Sequence, residues 1–397
     1  MINAAEAVII GGGIIGNSIA YFLTQSGVKP VVIERNDLAT GASGACDKAI
    51  ILSSKNPGLH LQLALASAAL YQELDSELGP EIEYAKDGGM IVIENSEQWE
   101  AMENFAARQR QIGLNVKMLD KKETREVQPA LAEHILGCTY HPDDAEVNPI
   151  NITLQLAKKA RQNGAQYLLH TEATAIKTDG GRVKSVVTSR GSIAAPLVIN
   201  AAGAWAPGLF TRLGVSLPIR PRKGQLLITE AKPRLIRGDI LSAGYIAAKY
   251  NPTLAENGDD VYTQLGVGLS LGQMRSGNFI IGATREFVGY DTRSTPQGIA
   301  AVARNAVRFV PALAGVNLIR TFAGLRPYTP DGLPILDWVH GIEGLFVAAG
   351  HEGDGIALAP ITGKLVSQVV TGEKPQVDVT ALGIGRFSDI GNKVKDG

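Results

Sequence analysis

Three glycines near the start of the chain have the spacing of a phosphate-binding turn. Gly11, Gly13 and Gly16 follow one apolar run and precede another, and Glu34 comes 18 residues after Gly16. In such a turn the first glycine permits the bend, the second lets backbone approach a pyrophosphate, and the third lets a helix pack on a strand. An acid at the position of Glu34 accepts hydrogen bonds from ribose hydroxyls and repels a 2′-phosphate. The pattern predicts a dinucleotide, with FAD or NAD favoured over NADP.

Regular elements must surround this turn for the prediction to hold. The apolar pattern predicts a strand at 7–10, a helix at 14–25 and a strand at 30–33. Because strand, spacing and acid coincide, a glycine-rich turn of another α/β fold is the weaker alternative.

Three later segments place further glycines where backbone could meet a cofactor. A loop at 41–45 is rich in glycine and alanine, a buried strand at 196–203 runs into a glycine turn, and residues 350–358 lead into a helix predicted at 355–371. A domain that binds NAD needs no such return from the end of the chain. The later segments therefore favour FAD.

The length and composition set the limits of this interpretation. With 397 residues the chain exceeds the ~250–300 residues at which single cores stop growing, so two domains are expected. The charged fraction of 19% is too low for a disordered chain, and a net charge of −1 without basic clusters argues against nucleic-acid binding. The α/β signal comes in separated blocks with more β-rich blocks between them, which predicts a discontinuous nucleotide-binding domain with a mainly antiparallel domain inserted.

Cysteine content and the apolar start of the chain bear on the compartment. Two cysteines cannot form a disulfide framework or a four-thiolate metal site, which favours a reduced, cytoplasmic setting. The apolar run at 7–23 is broken by glycines and has no basic residue before Lys29. We therefore expect neither a signal peptide nor a transmembrane segment. The histidines show no ligand spacing, so no metal site is expected.

Nearly the whole chain resembles the D-amino-acid-oxidase-like superfamily of FAD-dependent amine oxidoreductases. The glycine segments above carry the resemblance, together with residues 142–149, 221–225 and 326–335. That superfamily includes glycine and sarcosine oxidases and the flavin subunits of opine, hydroxyproline and hydrogen-cyanide-forming dehydrogenases. The resemblance implies an α/β fold in which a Rossmann-like FAD-binding domain (GR2 or D-amino-acid-oxidase type) is interleaved with a mainly antiparallel α+β substrate domain. The expected boundaries are 1–85, 145–220 and 325–390 for the first domain, and 86–144 and 221–324 for the second.

The motif and the resemblance together give a set of expected FAD-binding residues. They are Gly11, Gly13, Ile14, Ile15, Gly16, Glu34, Arg35, Ala42, Ser43, Gly44, Cys46, Ala202, Gly203, Trp205, Arg326, Gly353, Asp354, Gly355 and Ile356. The resemblance also places the start of the last helix near the flavin, where its dipole would favour an anionic reduced flavin. Cys46 departs from the small or polar residues expected at its position. A reactive thiol or a flavin tether is one interpretation, and a small buried residue is the favoured one.

The chemistry implied by the resemblance is oxidation of an amino acid or secondary amine. A hydride passes from Cα to flavin N5 and leaves an imine, which water hydrolyses. Arg326 would bind the substrate carboxylate as a bidentate fork, the alternative being a structural arginine that pairs with Asp331. His351 would tune the flavin, or serve as a structural histidine. The inserted region offers Tyr245, Tyr250 and Tyr262. Tyr262 is the one expected to orient the carboxylate, although a packing tyrosine is the commoner role.

The sequence leaves the electron acceptor, the substrate and the partners open. An oxidase would pass electrons to oxygen, whereas the flavin subunit of a heteromeric dehydrogenase would pass them to a partner or a quinone chain. The Gly-His-Glu-Gly-Asp-Gly segment at 350–355 looks closer to the second group. A homo-oligomer and a non-catalytic dinucleotide-binding subunit are further alternatives. Glycine, sarcosine, a D-amino acid, proline, hydroxyproline and an opine all remain possible substrates.

Overall fold

The computed structural model describes residues 2–250 and 260–387. The α-helices are Ile14–Gln25 (α1), Leu59–Leu78 (α2), Ser96–Gln111 (α3), Lys121–Val127 (α4), Pro149–Gln162 (α5), Ala206–Thr211 (α6), Ala243–Tyr250 (α7), Val261–Gln264 (α8), Pro296–Phe309 (α9) and Gly355–Thr371 (α10). The strands are Ala7–Ile10 (β1), Pro30–Ile33 (β2), Ala49–Ile50 (β3), Gly89–Ile93 (β4), Lys117–Asp120 (β5), Gly137–His141 (β6), Ala145–Glu146 (β7), Gln166–Leu168 (β8), Ala173–Asp179 (β9), Arg182–Thr188 (β10), Gly191–Ala194 (β11), Val198–Asn200 (β12), Arg220–Ala231 (β13), Asp239–Ser242 (β14), Ser270–Gln273 (β15), Asn278–Gly282 (β16), Leu318–Tyr328 (β17), Ile335–Trp338 (β18) and Leu345–Ala349 (β19).

A six-stranded sheet, in the order β18-β19-β12-β1-β2-β8, forms one centre of the molecule. Its strands are parallel except for β18, which runs antiparallel to β19. In β1, β2 and β19 every residue is buried, as expected for parallel strands that are covered on both faces. Helix α1 lies against α5 and α10. The predicted helices at 14–25 and 355–371 are confirmed.

An eight-stranded sheet, in the order β17-β13-β16-β15-β14-β4-β6-β5, forms the second centre. Its pairs are antiparallel apart from β14 with β4. Strands β13 and β17 are long and pair so that Arg222 lies opposite Arg326 and Gly224 opposite Gly324. Arg222 and Arg326 therefore lie opposite each other on neighbouring strands. The remaining sheets are β9 to β11, with three strands, and the pair β3–β7.

The two large sheets draw on alternating parts of the chain. Strands of the six-stranded sheet come from 7–33, 166–200 and 335–349, and those of the other sheet come from 89–141 and 220–328. The predicted class of an α/β fold interleaved with a mainly antiparallel region is thus confirmed, whereas the boundaries proposed for the two domains remain a prediction. The part of the chain between β14 and β15 contains the helices α7 and α8. Within the described residues, no helix combines the length and the apolar character needed to span a membrane.

Candidate active site

A cavity of about 470 Å³ opens at the carboxyl ends of the parallel strands. Ile10, Ile33, Ala201 and Ala349, at or just after the ends of four neighbouring strands, line one side of it. The eight-stranded sheet covers the other side, and Arg326 lies on that wall. Ligands of open α/β sheets bind at this edge. The topology therefore brings together the segments that the sequence singled out.

The glycine turn forms the floor where β1 meets α1. Gly11, Gly13, Ile14 and Ile15 line the cavity, and the Ser43 hydroxyl accepts a hydrogen bond from Ile14 N at 2.9 Å. Ala42 and Ser43 line the cavity as predicted, while Gly44 is absent from the wall. The positive end of the α1 dipole thus faces a space large enough for a phosphate.

Gly16 lies against Gly11 and does not line the cavity. A Cβ at this position would overlap the carbonyl oxygen of Gly11, so only glycine lets the first turn of α1 sit against the end of β1. The packing role expected of the third glycine is thus observed, and since Gly16 does not line the cavity, its contact with the cofactor stays a prediction.

Predicted polar and aromatic groups stand at the nucleotide end of the cavity. Glu34 lies on the wall, and its carboxylate accepts hydrogen bonds from Gly12 N at 2.7 Å and Asn36 N at 2.9 Å. The guanidinium carbon of Arg35 lies 4.2 Å from the centroid of the Trp205 ring, and both residues line the cavity. Ala202 and Gly203, as predicted, also line it. An acid with a fixed orientation is what recognition of ribose hydroxyls requires.

The start of α10 closes the opposite end. Gly353, Gly355 and Ile356 line the cavity, but Asp354 does not. The carboxylate of Asp354 is buried and lies 2.8 Å from Lys55 Nζ and 3.1 Å from His60 Nε2. The side chain of Asp354 is thus engaged outside the cavity, and its contact with the cofactor stays a prediction. Its glycine neighbours present backbone to the cavity, while its side chain connects the start of α10 to Lys55 and to the first turn of α2.

Cys46 is a neutral thiol on the cavity wall. Burial raises the pKa of Cys46 far above its usual value, and its Sγ lies 3.4 Å from the carbonyl oxygen of Ser43. Because a thiolate is the reactive form of cysteine, the geometry supports the small buried residue and not the reactive thiol.

His351 is a neutral ring at the same end of the cavity. It lines the wall but is only 2% exposed, and its Nε2 lies 3.0 Å from Thr362 Oγ1. Burial lowers the pKa of His351 from 6.5 to about 3. The ring is therefore uncharged at neutral pH, which leaves hydrogen bonding as the way in which it can act on a neighbour.

This depressed pKa predicts an acid-sensitive contribution of His351 to stability. Below pH 6.5 the unfolded chain binds a proton that the folded chain does not, so the free energy of unfolding falls with falling pH. Between pH 7 and pH 5 the wild-type protein should lose about 2 kcal/mol relative to His351→Gln. Denaturant unfolding at the two pH values measures the difference. His170→Gln, at a side chain that is 62% exposed, is the control, and an equal change in both variants would contradict the prediction.

Arg326 is the charged group that reaches the cavity from β17. Its Nη1 donates to the carbonyl oxygen of Thr284 at 3.1 Å. An ideal Cβ on Gly224 would lie 2.6 Å from its Cζ, so the guanidinium occupies the space that glycine leaves open. The alternative pairing with Asp331 is not observed, because Asp331 accepts from Arg386 Nε at 2.7 Å. Among the residues that the structure describes, no carboxylate lies within 4.0 Å of the Arg326 nitrogens.

The tyrosine on the cavity wall is Tyr245 and not Tyr262. Tyr262 lies in α8, is 36% exposed and lines a separate surface depression with Gln297 and Arg304. Tyr245 lines the main cavity from α7. The expectation for Tyr262 is therefore corrected, because Tyr262 lies outside the cavity and Tyr245, another tyrosine of the inserted region, lies on its wall.

Other groups at this end were not singled out from the sequence. Glu352 lines the cavity and pairs with the buried Arg222, which lies beside Arg326 in the sheet. Asp47 also lines it and accepts a hydrogen bond from Ser270 Oγ at 2.8 Å. Arg222 and Glu352 both lie in segments noted above, so adjacency to a motif was the available signal. Nothing in the sequence distinguished Asp47.

The charged and hydrogen-bonding groups that line the cavity fit a dinucleotide. One end of the cavity offers a helix N-terminus, glycine backbone and a carboxylate, and the other offers a second helix N-terminus and a guanidinium. Phosphates, ribose hydroxyls and a polar ring edge match these groups in charge and in hydrogen-bonding type.

This chain is similar over nearly its whole length to proteins of one known family. The family model described as FAD dependent oxidoreductase matches residues 6–369. The hydrogen cyanide synthase subunit HcnC of Pseudomonas aeruginosa is 33% identical, over 96% of this chain and 96% of its own length. The glycine oxidase of Geobacillus kaustophilus is 30% identical, over 97% of this chain and 98% of its own length.

Solved structures agree over nearly the full length. The crystal structure of L-proline dehydrogenase from P. horikoshii matches with a TM-score of 0.88 and 26% identity, over 98% of this chain and 99% of that chain. The crystal structure of the glycine oxidase from Geobacillus kaustophilus gives a TM-score of 0.86 and 29% identity, over 96% of this chain and 98% of that chain.

Proposed function

We propose that this chain, which belongs to the FAD-dependent oxidoreductase family, oxidises an amine substrate. In that substrate, the carbon next to nitrogen carries a carboxylate. The observation that carries the proposal is Arg326. Its guanidinium reaches a cavity built for a dinucleotide and, within the described part of the chain, has no carboxylate partner. The relatives named above as glycine oxidase and proline dehydrogenase support an amino-acid substrate.

The residues that would hold FAD lie at the two ends of the cavity. Gly11 and Gly13 would contact the pyrophosphate, with Ser43 holding the start of α1 in place, and Glu34 would bind the ribose. Backbone at the start of α10, from Gly353 to Ile356, would meet the flavin. When bound, FAD supplies a two-electron acceptor for the hydride that leaves the carbon.

The protein's own part in the reaction is binding and orientation. Arg326 fixes the carboxylate and so points the neighbouring C–H bond in one direction. Removal of a hydride from carbon and a proton from nitrogen leaves an imine, and water then releases a carbonyl compound and an amine or ammonia. An amine that binds in its neutral form requires no strong base from the protein. His351 is a neutral ring and Glu352 is paired with Arg222, and this reaction needs neither of them as a base.

The route of the electrons after substrate oxidation is the second part of the proposal. We infer transfer to a partner or dye in preference to oxygen, since the relative at 33% identity is named as a subunit of hydrogen cyanide synthase. Turnover with a dye should exceed peroxide formation in air by roughly tenfold or more, a rate difference of about 1.4 kcal/mol in barrier. Equal rates in air and with dye would favour a self-sufficient oxidase.

Anaerobic reduction of the flavin tests the proposed reaction. The holoprotein is mixed with glycine, sarcosine, proline, D-alanine and dicarboxylic amines, and the visible flavin band is followed. We expect at least one amine to bleach the band, and its amide, which lacks the carboxylate charge, to fail. A flavin that dithionite reduces but none of these amines reduces would contradict the proposal and favour a non-catalytic subunit.

A further inference from the structure

Asp47 is a carboxylate on the cavity wall that the reaction described above does not use. Within the described residues, four carboxylate side chains belong to that wall: Glu34, Asp47, Glu172 and Glu352. Glu34 lies at the nucleotide end, and Glu172 follows the residue whose N–H donates to the Glu34 carbonyl. Glu352 pairs with Arg222. Asp47 differs from these three, since no cationic side chain of the described residues lies within 4.0 Å of its carboxylate.

Two hydrogen-bonding contacts hold the carboxylate of Asp47 in one orientation. Its Oδ2 accepts from the buried Ser270 hydroxyl at 2.8 Å, and its Oδ1 lies 3.4 Å from the backbone nitrogen of Ala49. An ionised carboxylate offers about four acceptor positions, so these contacts leave some of them open. Asp47 as a whole is intermediate in exposure and lines the cavity. Its remaining acceptor positions are therefore available to a molecule bound there.

The loop that ends in Asp47 lies against the strand that carries Arg326. An ideal Cβ on Gly324 would lie 2.2 Å from the carbonyl oxygen of Ala45, so loop and β17 touch two residues from Arg326. Both charged side chains also contact the pair β15–β16. Asp47 accepts from Ser270 in β15, and Arg326 donates to a carbonyl just after β16. Asp47 and Arg326 therefore lie at the same end of the cavity without pairing directly.

The charges around Asp47 leave Arg326 as its counterpart across the cavity. The neighbouring Lys48 pairs with Glu146, and its Nζ lies 3.9 Å from Asp239, so this cation is engaged outside the cavity wall. Burial lowers the pKa of Arg326, but nearby phenol and carboxylate groups, Asp47 among them, raise it above its usual value. One end of the cavity thus presents a cation and an anion that a ligand can join.

We propose that Asp47 binds the nitrogen of the substrate while Arg326 binds its carboxylate. The inference rests on the proposed function and adds the group that distinguishes an amine from other acids of the same shape. An amino acid in water is a zwitterion, and its ammonium group matches a carboxylate in charge and in hydrogen-bonding type. The nitrogen donates to Asp47 as ammonium and as neutral amine, and the proton lost between these two states passes to water. An acid without nitrogen would instead be repelled by Asp47.

Pairs of ligands with nitrogen or oxygen at the same position test this contact. Sarcosine is compared with methoxyacetate, and proline with tetrahydrofuran-2-carboxylate, in the FAD-loaded protein. Dissociation constants come from the visible flavin spectrum, or from the concentration dependence of anaerobic flavin reduction where an amine reacts. At pH 7, Asp47→Asn should weaken amine binding by about 10- to 100-fold, whereas the oxygen compounds should bind equally well or more tightly.

Two further variants distinguish nitrogen binding from a structural aspartate. Ser270→Ala keeps the carboxylate but removes its hydrogen bond, so its amine affinity should fall between those of the wild type and Asp47→Asn. Asp143→Asn removes a carboxylate that is 64% exposed and should leave every affinity unchanged. FAD content and melting temperature are compared in all variants. Equal weakening of amines and oxygen compounds in Asp47→Asn, or a wild type without preference for the amines, would overturn the inference.

The pH dependence of flavin reduction is a readout that a structural role would not move. At saturating amine, the rate should rise with pH as the bound ammonium becomes the neutral amine that is oxidised. A carboxylate beside the ammonium stabilises the charged form, so Asp47→Asn should move the midpoint to lower pH by about 1–3 units. An unchanged midpoint would contradict the inference. If no amine reduces the flavin, the proposed function fails, while the paired titrations still decide whether Asp47 recognises nitrogen.

Discussion

Replacing Arg326 by methionine should lower kcat/KM for an amino-acid substrate by roughly 100- to 1000-fold while FAD stays bound. Removing one partner of a desolvated, hydrogen-bonded charge pair costs about 2–5 kcal/mol, and the substrate carboxylate would be left without its counter-charge. Rapid mixing under anaerobic conditions measures the rate of flavin reduction directly. The amide of the same substrate should react equally slowly with both proteins, because it has no carboxylate for Arg326 to bind.

Two further variants separate this role from a general defect. Arg320→Met removes an exposed arginine on the same strand, β17, and should leave the rate unchanged. Gly224→Ala leaves Arg326 in the chain but places a Cβ 2.6 Å from its Cζ, which forces the guanidinium to move. The alanine variant should raise KM for the carboxylate substrate with full FAD content. A normal KM in Gly224→Ala, or a slow Arg320→Met, would count against carboxylate binding by Arg326.

Gly16→Ala should weaken FAD binding by roughly 100-fold, at the upper end of the cost of forcing atoms into a packed interior. The added Cβ overlaps the carbonyl oxygen of Gly11, and no flexible side chain can yield there, so the turn that forms the cavity floor must shift. Fluorescence titration of the apoprotein with FAD measures the affinity.

A matched glycine serves as the control for this variant. Gly315→Ala meets no atom within 4 Å and lies away from the cavity wall, so its FAD affinity should equal that of the wild type. Normal FAD affinity in Gly16→Ala would contradict the prediction, because it would show that the glycine turn adapts to the added Cβ. The close packing of α1 on β1 would then not be needed to position the residues that bind FAD.

Local signals explain why the nucleotide end could be predicted from sequence. The turn at 11–16 depends on glycine spacing between an apolar strand and an apolar helix, all within one stretch of chain. Arg326 was singled out because it stands in a segment that resembles the family; its place on the cavity wall is observed, and its role in substrate binding stays a prediction. In each case the residues that define the feature are neighbours in sequence, and their types alone restrict the conformation.

The substrate end depended on contacts that sequence neighbours do not reveal. Arg285 meets Tyr245 only because the segment after β16 and the helix α7 converge. Asp354 sits among cavity-lining glycines, yet Lys55 and His60 draw its carboxylate away from the cavity. The direction of a side chain is set by partners far along the chain, and a single sequence does not show which of them will meet.

The interleaved topology has a consequence for the biosynthesis of the protein. The cavity wall begins at Ile10 and is completed only at Ile356, because β19 and the start of α10 form its last side. At about 5–20 residues per second, ribosomes make these two ends roughly 17–70 s apart. From the synthesis of β12 until that of β19, the edge of β12 that will pair with β19 stays uncovered. The complete cavity can therefore form only after residue 356 has been made, which places its closure near the end of synthesis.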